Sequence, residues 1–76
     1  MLLANRIRNI RETYNFTQAE IAERCNISSS AYGQIERRAG KSSLDTLTNV
    51  ANAIGVSLPF LVDINNPNYL EEKYKL

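Results

Sequence analysis

A chain of 76 residues with 43% hydrophobic residues and a net charge of +1 is long enough for one small domain with a thin core. Its single cysteine, Cys25, and its lack of histidine argue against disulfides and metal sites, so we expect a reducing, cytoplasmic compartment and no cofactor. The composition supplies no nucleophile–base pair from which an enzyme could be built, and the longest apolar run, residues 58–62, is too short to cross a membrane.

The first two helices are predicted from periodicity and from a cap. Apolar residues recur at helical spacing over residues 2–14, which predicts an amphipathic first helix. Thr17 begins a second helix over residues 17–25, because Glu20 three residues later completes a capping box.

A very short link joins the second helix to a third. Asn26 can adopt the left-handed conformation that ends a helix, and Ile27 is expected to be buried. Ser28 is then the N-cap of a third helix over residues 28–38. Two helices joined by about three residues must cross steeply, which is the spacing of a helix-turn-helix.

Two more helices are predicted in the second half of the chain, over residues 43–54 and 57–63. Ser42 or Ser43 caps the fourth helix, and Gly55 ends it. The fifth begins after another serine, and its proline is tolerated because it falls in the first turn.

The predicted fold is therefore all-α, with five helices in a domain over residues 1–63 and a C-terminal tail over residues 64–76. No alternation typical of β-strands occurs. The apolar stripes of the helices predict a shared core of Ile7, Ile10, Ile21, Ile35, Leu47, Val50 and Ile54.

One face of the third helix is small, polar and free of acids. Short side chains let a helix backbone come close to a partner, and a glutamine amide can bond adenine in the major groove of DNA. An ordinary solvent-facing surface explains the pattern equally well. The residues of this stripe are Ser29, Ser30, Gly33, Gln34 and Arg37.

The charges are distributed unevenly along the chain. Residues 1–41 hold seven basic and four acidic side chains, whereas residues 42–76 hold two and four. A basic half fits a protein that meets an anion on one side, although a solvated mixture of charges remains an alternative.

The order of elements resembles that of the Cro/C1-type helix-turn-helix family. The matching segments are FTQAEIAERCNISSSAYGQIERR at 16–38 and SSLDTLTNVANAIGVS at 42–57, and the resemblance covers about residues 3–63. It implies a five-helix, lambda-repressor-like DNA-binding domain whose partner is double-stranded DNA.

The resemblance also implies which residues contact DNA. Gln18 corresponds to the family's glutamine that opens the second helix and contacts a phosphate. The base-reading positions correspond to Ser29, Ser30, Gly33 and Gln34. Further phosphate contacts are expected at the end of the third helix and in the loop after it, from Arg37, Arg38 and Lys41.

A buried ion pair is implied as well. The family pairs a third-helix glutamate with a first-helix arginine, which here correspond to Glu36 and Arg11. Many members have glycine two residues after this glutamate. Because Arg38 takes that place, the third helix could run slightly longer here.

The resulting hypothesis is a transcriptional regulator that acts by occupying a pseudo-palindromic operator as a homodimer, with no small-molecule ligand. Phage repressor, restriction–modification controller and antitoxin all fit the sequence. The alternative is a protein-interaction module or an antitoxin that keeps the fold but binds little or no DNA. Dimer contacts are expected from the fifth helix and the tail, although the tail could instead fold back onto the core. The candidate residues are Leu58, Leu61, Tyr69, Leu70 and Tyr74.

Overall fold

The computed structural model describes residues 2–70, and this part of the chain contains only helices, turns and irregular segments. The five predicted helices are confirmed, each end falling within one residue of the predicted one. None of the described helices is long and apolar enough to cross a membrane. The helices are α1 Leu2–Thr13, α2 Gln18–Arg24, α3 Ser29–Arg37, α4 Leu44–Ile54 and α5 Leu58–Val62.

Side-chain caps fix where the helices begin. At the start of α2 the predicted capping box is complete: the Thr17 hydroxyl accepts from the Glu20 backbone N–H at 3.1 Å, and the Glu20 carboxylate accepts from the Thr17 N–H at 2.8 Å. Ser28, Ser43 and Ser57 cap α3, α4 and α5, each accepting from the backbone N–H three residues later. Local sequence therefore sets these boundaries.

Left-handed residues fix where two of the helices end. Asn26 has φ 60° in the link between α2 and α3, and Gly55 has φ 97° after α4, as predicted. Asn15, between α1 and α2, takes the same conformation with φ 64°. Asparagine tolerates this region better than other residues with side chains.

The core lies where the five helices meet and includes six of the seven predicted residues. Ile35 is only partly buried, at its edge. Ile27 is exposed, so the prediction that it is buried was wrong: it lies in the turn between α2 and α3, where the chain runs over the surface. The largest fully buried side chains are Tyr32, Ile7, Ile10, Ile21, Leu61 and Val50.

The third helix does not show the extension that was expected from Arg38. It ends at Arg37, and Arg38 leaves the helical region with φ −108° and ψ 31°. A short 3-10 turn, Ala39–Lys41, follows and packs against α1, with Ala39 itself fully buried. Burial of this alanine turns the chain inward, so the expected extension is absent.

The described residues after α5, 63–70, fold back onto α1 and are held there by Arg6, which is 3% exposed. Its guanidinium donates to the backbone carbonyls of Phe60 at 2.8 Å, Asn68 at 3.2 Å and Asn66. The rings of Phe60 and Tyr69 lie against the same guanidinium, with centroids 4.7 and 5.3 Å from its carbon. The described part of the predicted tail is thus packed against the domain.

This packing changes the set of residues that could reach a second copy of the chain. Leu61, which was predicted as a dimer contact, is fully buried in the core and cannot reach a second copy. Leu58 and Tyr69 are partly buried against the core, whereas Leu70 is 41% exposed. Tyr74 lies outside the described residues.

Candidate nucleic-acid interface

The outward face of α3 carries four exposed polar side chains and no acid. Two serines lie in the first turn of the helix, a glutamine in the middle and an arginine at its last residue. The inward face buries Tyr32 and Glu36, which fixes the rotation of the helix. The exposed residues are Ser29, Ser30, Gln34 and Arg37.

Gly33 lies on the same outward face but is buried. A methyl group placed on it would lie 3.3 Å from Nη1 of Arg37 and 3.8 Å from Oε1 of Gln18. The ends of these two side chains therefore cover the glycine. In the free protein Gly33 does not itself present a surface to a partner.

The start of α2 opens onto the same side of the molecule as the start of α3. Gln18 and Ser29 line one open cleft, whose charged lining residues are Arg11 and Glu12. The residue predicted to contact a phosphate is thus placed beside a residue predicted to face the bases. The short link makes α2 and α3 cross steeply, and in this arrangement Gln18 and Ser29 line the same cleft.

A buried network of hydrogen bonds lies under this surface. Nε of Arg11 donates to Oε2 of Glu36 at 2.8 Å, and Nη2 donates to Oε1 at 3.3 Å. The Tyr32 hydroxyl donates to Oε2 at 2.7 Å, and Nε2 of Gln18 donates to Oε1 at 3.2 Å. The carboxylate thus accepts four hydrogen bonds from three helices, and the structure brings the expected pair together.

The network keeps Glu36 ionised. Burial by itself would raise the pKa of this carboxyl group, but hydrogen bonds from Arg11, Tyr32 and Gln18 outweigh it and place the pKa below its usual range. Burial and the neighbouring carboxylate both raise the pKa of Tyr32, which therefore stays a neutral donor. One end of the network, the Gln18 amide, reaches the surface cleft.

Arg8 is a candidate contact residue that the sequence reasoning missed. It is exposed on α1 and lines an open cleft with Ala4, Asn5, Glu36 and Arg37. Its guanidinium is 3.4 Å from Oδ1 of Asn5. Its position could have been predicted from the sequence, because residues 4, 8 and 11 lie on the same face of α1.

The remaining predicted phosphate contacts follow α3. Arg38 and Lys41 are both exposed, one at the helix end and the other in the 3-10 turn. Cys25 lies elsewhere, partly buried between α2 and α4, and burial raises the pKa of its thiol. No group of side chains in the described part of the chain is arranged to hold a metal ion.

Comparison with known proteins identifies relatives. A helix-turn-helix family model matches residues 7–61. The immunity repressor protein of Bacillus phage phi105 is 39% identical over 62 residues, which are 82% of this chain and 43% of the phage protein. The HTH-type transcriptional regulator YobD of Bacillus subtilis (strain 168) is 28% identical over 65 residues, 86% of this chain and 58% of that protein. The chain thus spans about half the length of these relatives, and no solved structure matches it significantly.

Proposed function

The chain belongs to the Cro/C1-type helix-turn-helix family, whose members are DNA-binding regulators and not enzymes, and we propose that it recognises one specific double-stranded DNA sequence and regulates transcription by occupying it. The observation that carries this proposal is the acid-free outward face of α3 beside Gln18. A helix of this kind can enter the major groove while neighbouring groups hold the phosphate backbone.

The proposed DNA contacts are of two types, contacts to bases and contacts to phosphates. Gln34 reads a base, since its amide can both donate and accept, and the two serines of the first turn assist it with less discrimination. The phosphate contacts set position and register without reading sequence. They come from Gln18, Arg37, Arg38 and Lys41.

We propose further that two copies bind a pseudo-palindromic site. One α3 helix reaches only a few base pairs, whereas two helices related by a two-fold axis lie about 34 Å apart, one turn of DNA. The support for a C-terminal interface is the exposed apolar surface that remains there, with Ile64 44% and Leu70 41% exposed.

Three biological settings are compatible with the proposed DNA binding. One relative is named as a phage immunity repressor, which favours repression by blocking a promoter. Control of a restriction–modification system and antitoxin activity fit the same DNA contact. In each of them the protein acts where the DNA is, in the cytoplasm.

Selection of bound sequences from random duplexes, repeated over a range of salt concentrations, tests the function. We expect an inverted repeat. Gln34→Ala should relax preference at one position of each half-site, at a cost of about 1–3 kcal/mol. Lys41→Ala should weaken all sequences alike and lower the salt slope by about one unit. Asn52→Ala, an exposed amide on α4, serves as the matched control and should change neither.

Two outcomes would contradict the proposal. If Lys41 set the sequence preference and Gln34 did not, α3 would not be the reading helix. If no duplex were retained at low salt, the alternative of a protein-interaction module would be favoured. A single half-site instead of an inverted repeat would contradict only the homodimer.

A further inference from the structure

Gly33 occupies an unexpected position for a glycine. Among the described residues it is the one glycine within an α-helix, where glycine is less favourable than alanine. It is also buried, although it lies on the outward face of α3 between the exposed Ser30 and Gln34. No left-handed backbone conformation accounts for the glycine, because its φ is not positive.

The groups that cover Gly33 come from two helices. A methyl group on Gly33 would lie 3.3 Å from Nη1 of Arg37, and 3.8 and 3.9 Å from Oε1 and Nε2 of Gln18. Arg37 follows Gly33 by one turn, and long side chains on a helix point back toward its N-terminus. The missing side chain thus leaves a notch that is bordered by both the Arg37 guanidinium and the Gln18 amide.

The two groups that border the notch, the Arg37 guanidinium and the Gln18 amide, can both donate hydrogen bonds. Gln18 gives one N–H of Nε2 to Oε1 of Glu36 at 3.2 Å, which orients the amide and leaves the second N–H available. Arg37 forms no ion pair with any carboxylate within residues 2–70. The nearby Glu36 carboxylate is already held by Arg11, Tyr32 and Gln18, so the guanidinium and the oriented amide are left to bind an anion with several oxygens.

We propose that Gly33 is a positioning residue for DNA binding: it seats Arg37 beside Gln18 so that both side chains hold one backbone phosphate. The inference rests on the proposed function and assigns Gly33 no base contact of its own. It joins Gln18 and Arg37, otherwise two separate phosphate contacts, into a single site. Glu36 supports that site from below by fixing the amide.

Gly33→Ala, Arg37→Ala and the double variant test this coupling. Their affinities are measured on the selected duplex and on a scrambled duplex over a range of salt concentrations. Gly33→Ala should raise the melting temperature by a few degrees, because alanine favours the helix and the crowded atom is the end of a flexible arginine. It should nevertheless raise Kd on both duplexes, by less than Arg37→Ala does, since the arginine end must shift by a few tenths of an ångström and its charge-assisted contact is weakened.

The arginine variants supply the decisive comparison. Arg37→Ala should raise Kd roughly tenfold and lower the salt slope by about one unit. Adding Gly33→Ala to it should weaken binding no further, because the residue through which the glycine acts is already gone. Asn52→Ala, which also raises helix propensity but lies on α4, should leave affinity unchanged.

Several results would overturn the inference. If Gly33→Ala weakened binding equally with and without Arg37, the glycine would act by letting DNA approach the helix backbone. An unchanged affinity, or a loss confined to one base position, would also refute the shared phosphate site. Failure of the unaltered protein to bind either duplex at low salt would refute the proposed function, and this inference with it.

Discussion

At the scale of single residues, Glu36 connects stability to the DNA-facing surface. Its carboxylate lies under α3, accepts hydrogen bonds from Arg11 and Tyr32, and holds the Gln18 amide at the cleft. A buried carboxylate without such partners would be strongly destabilising. One side chain therefore both ties three helices together and orients a candidate phosphate contact.

Replacing Glu36 should cost stability in a pH-dependent way. Because the folded pKa lies below the usual value, the charge contributes stability above about pH 4.3, and this is lost as the pH falls through the folded pKa. Glu36→Ala should lower the free energy of unfolding by about 3–5 kcal/mol at neutral pH, since Arg11 stays buried and keeps only the exposed Glu12 carboxylate at 3.9 Å and the Phe16 carbonyl as partners.

Urea titrations at neutral and acid pH measure this effect. The difference between Glu36→Ala and the unaltered protein should shrink in acid, where the carboxyl group is protonated in both the folded and the unfolded chain. Glu23→Ala removes an exposed carboxylate from α2 and serves as the control. A Glu36 variant as stable as that control would show that the ion pair contributes nothing.

At the scale of elements, the unit formed by α2 and α3 depends on its link. At the end of α2, the Asn26 N–H donates to the Glu23 carbonyl at 3.0 Å. The Ile27 N–H donates to the Ala22 carbonyl at 3.0 Å. Ser28 then begins α3. With only a few residues between the helices, the left-handed conformation of residue 26 sets the angle between them and places Ser29 near Gln18.

Substitutions at residue 26 should follow their tolerance for positive φ. Asn26→Ala should destabilise the protein by about 1–2 kcal/mol, because alanine pays the steric cost of the left-handed region, whereas Asn26→Gly should be nearly neutral. Thermal unfolding of the two variants beside Asn52→Ala checks the order. Equal losses for alanine and glycine would mean that the asparagine side chain, not its backbone conformation, is what the turn requires.

At the scale of the whole molecule, Arg6 joins the two ends of the described chain. Its guanidinium donates to the backbone carbonyls of Phe60 and Asn68 and contacts two aromatic rings. Tyr69 adds a second link, since its hydroxyl is 3.3 Å from Nδ2 of Asn9 on α1. Residues 66–69 thus pack against α1.

Removing this link should loosen the C-terminal segment. Arg6→Met keeps an apolar stem but removes the donor to partly buried carbonyls, so we expect a loss of about 1–3 kcal/mol. Arg8→Met, on the exposed side of the same helix, is the matched control for stability. Hydrogen exchange should quicken at residues 66–70 in the first variant only. Unchanged exchange there would show that other contacts hold the segment.

The sequence by itself determined the helices and their boundaries. The capping box at Thr17, the left-handed residue Asn26 and the end of α4 at Gly55 all depend on interactions within a few residues along the chain. Such local interactions can be identified from the order of amino acids, because the hydrogen-bonding groups and the dihedral preferences belong to the residues themselves. The placement of α3 with one polar face outward followed from helical periodicity in the same way.

Only the tertiary structure decided which individual residues are covered. Ile27 is exposed, Leu61 is buried, Gly33 lies under two side chains, and Arg6 is buried against a segment some sixty residues later in the chain. Each of these outcomes depends on neighbours from distant parts of the sequence, whose positions follow from how the helices pack. Periodicity can assign a residue to a face of its helix, but the burial of that face depends on what the rest of the chain places against it.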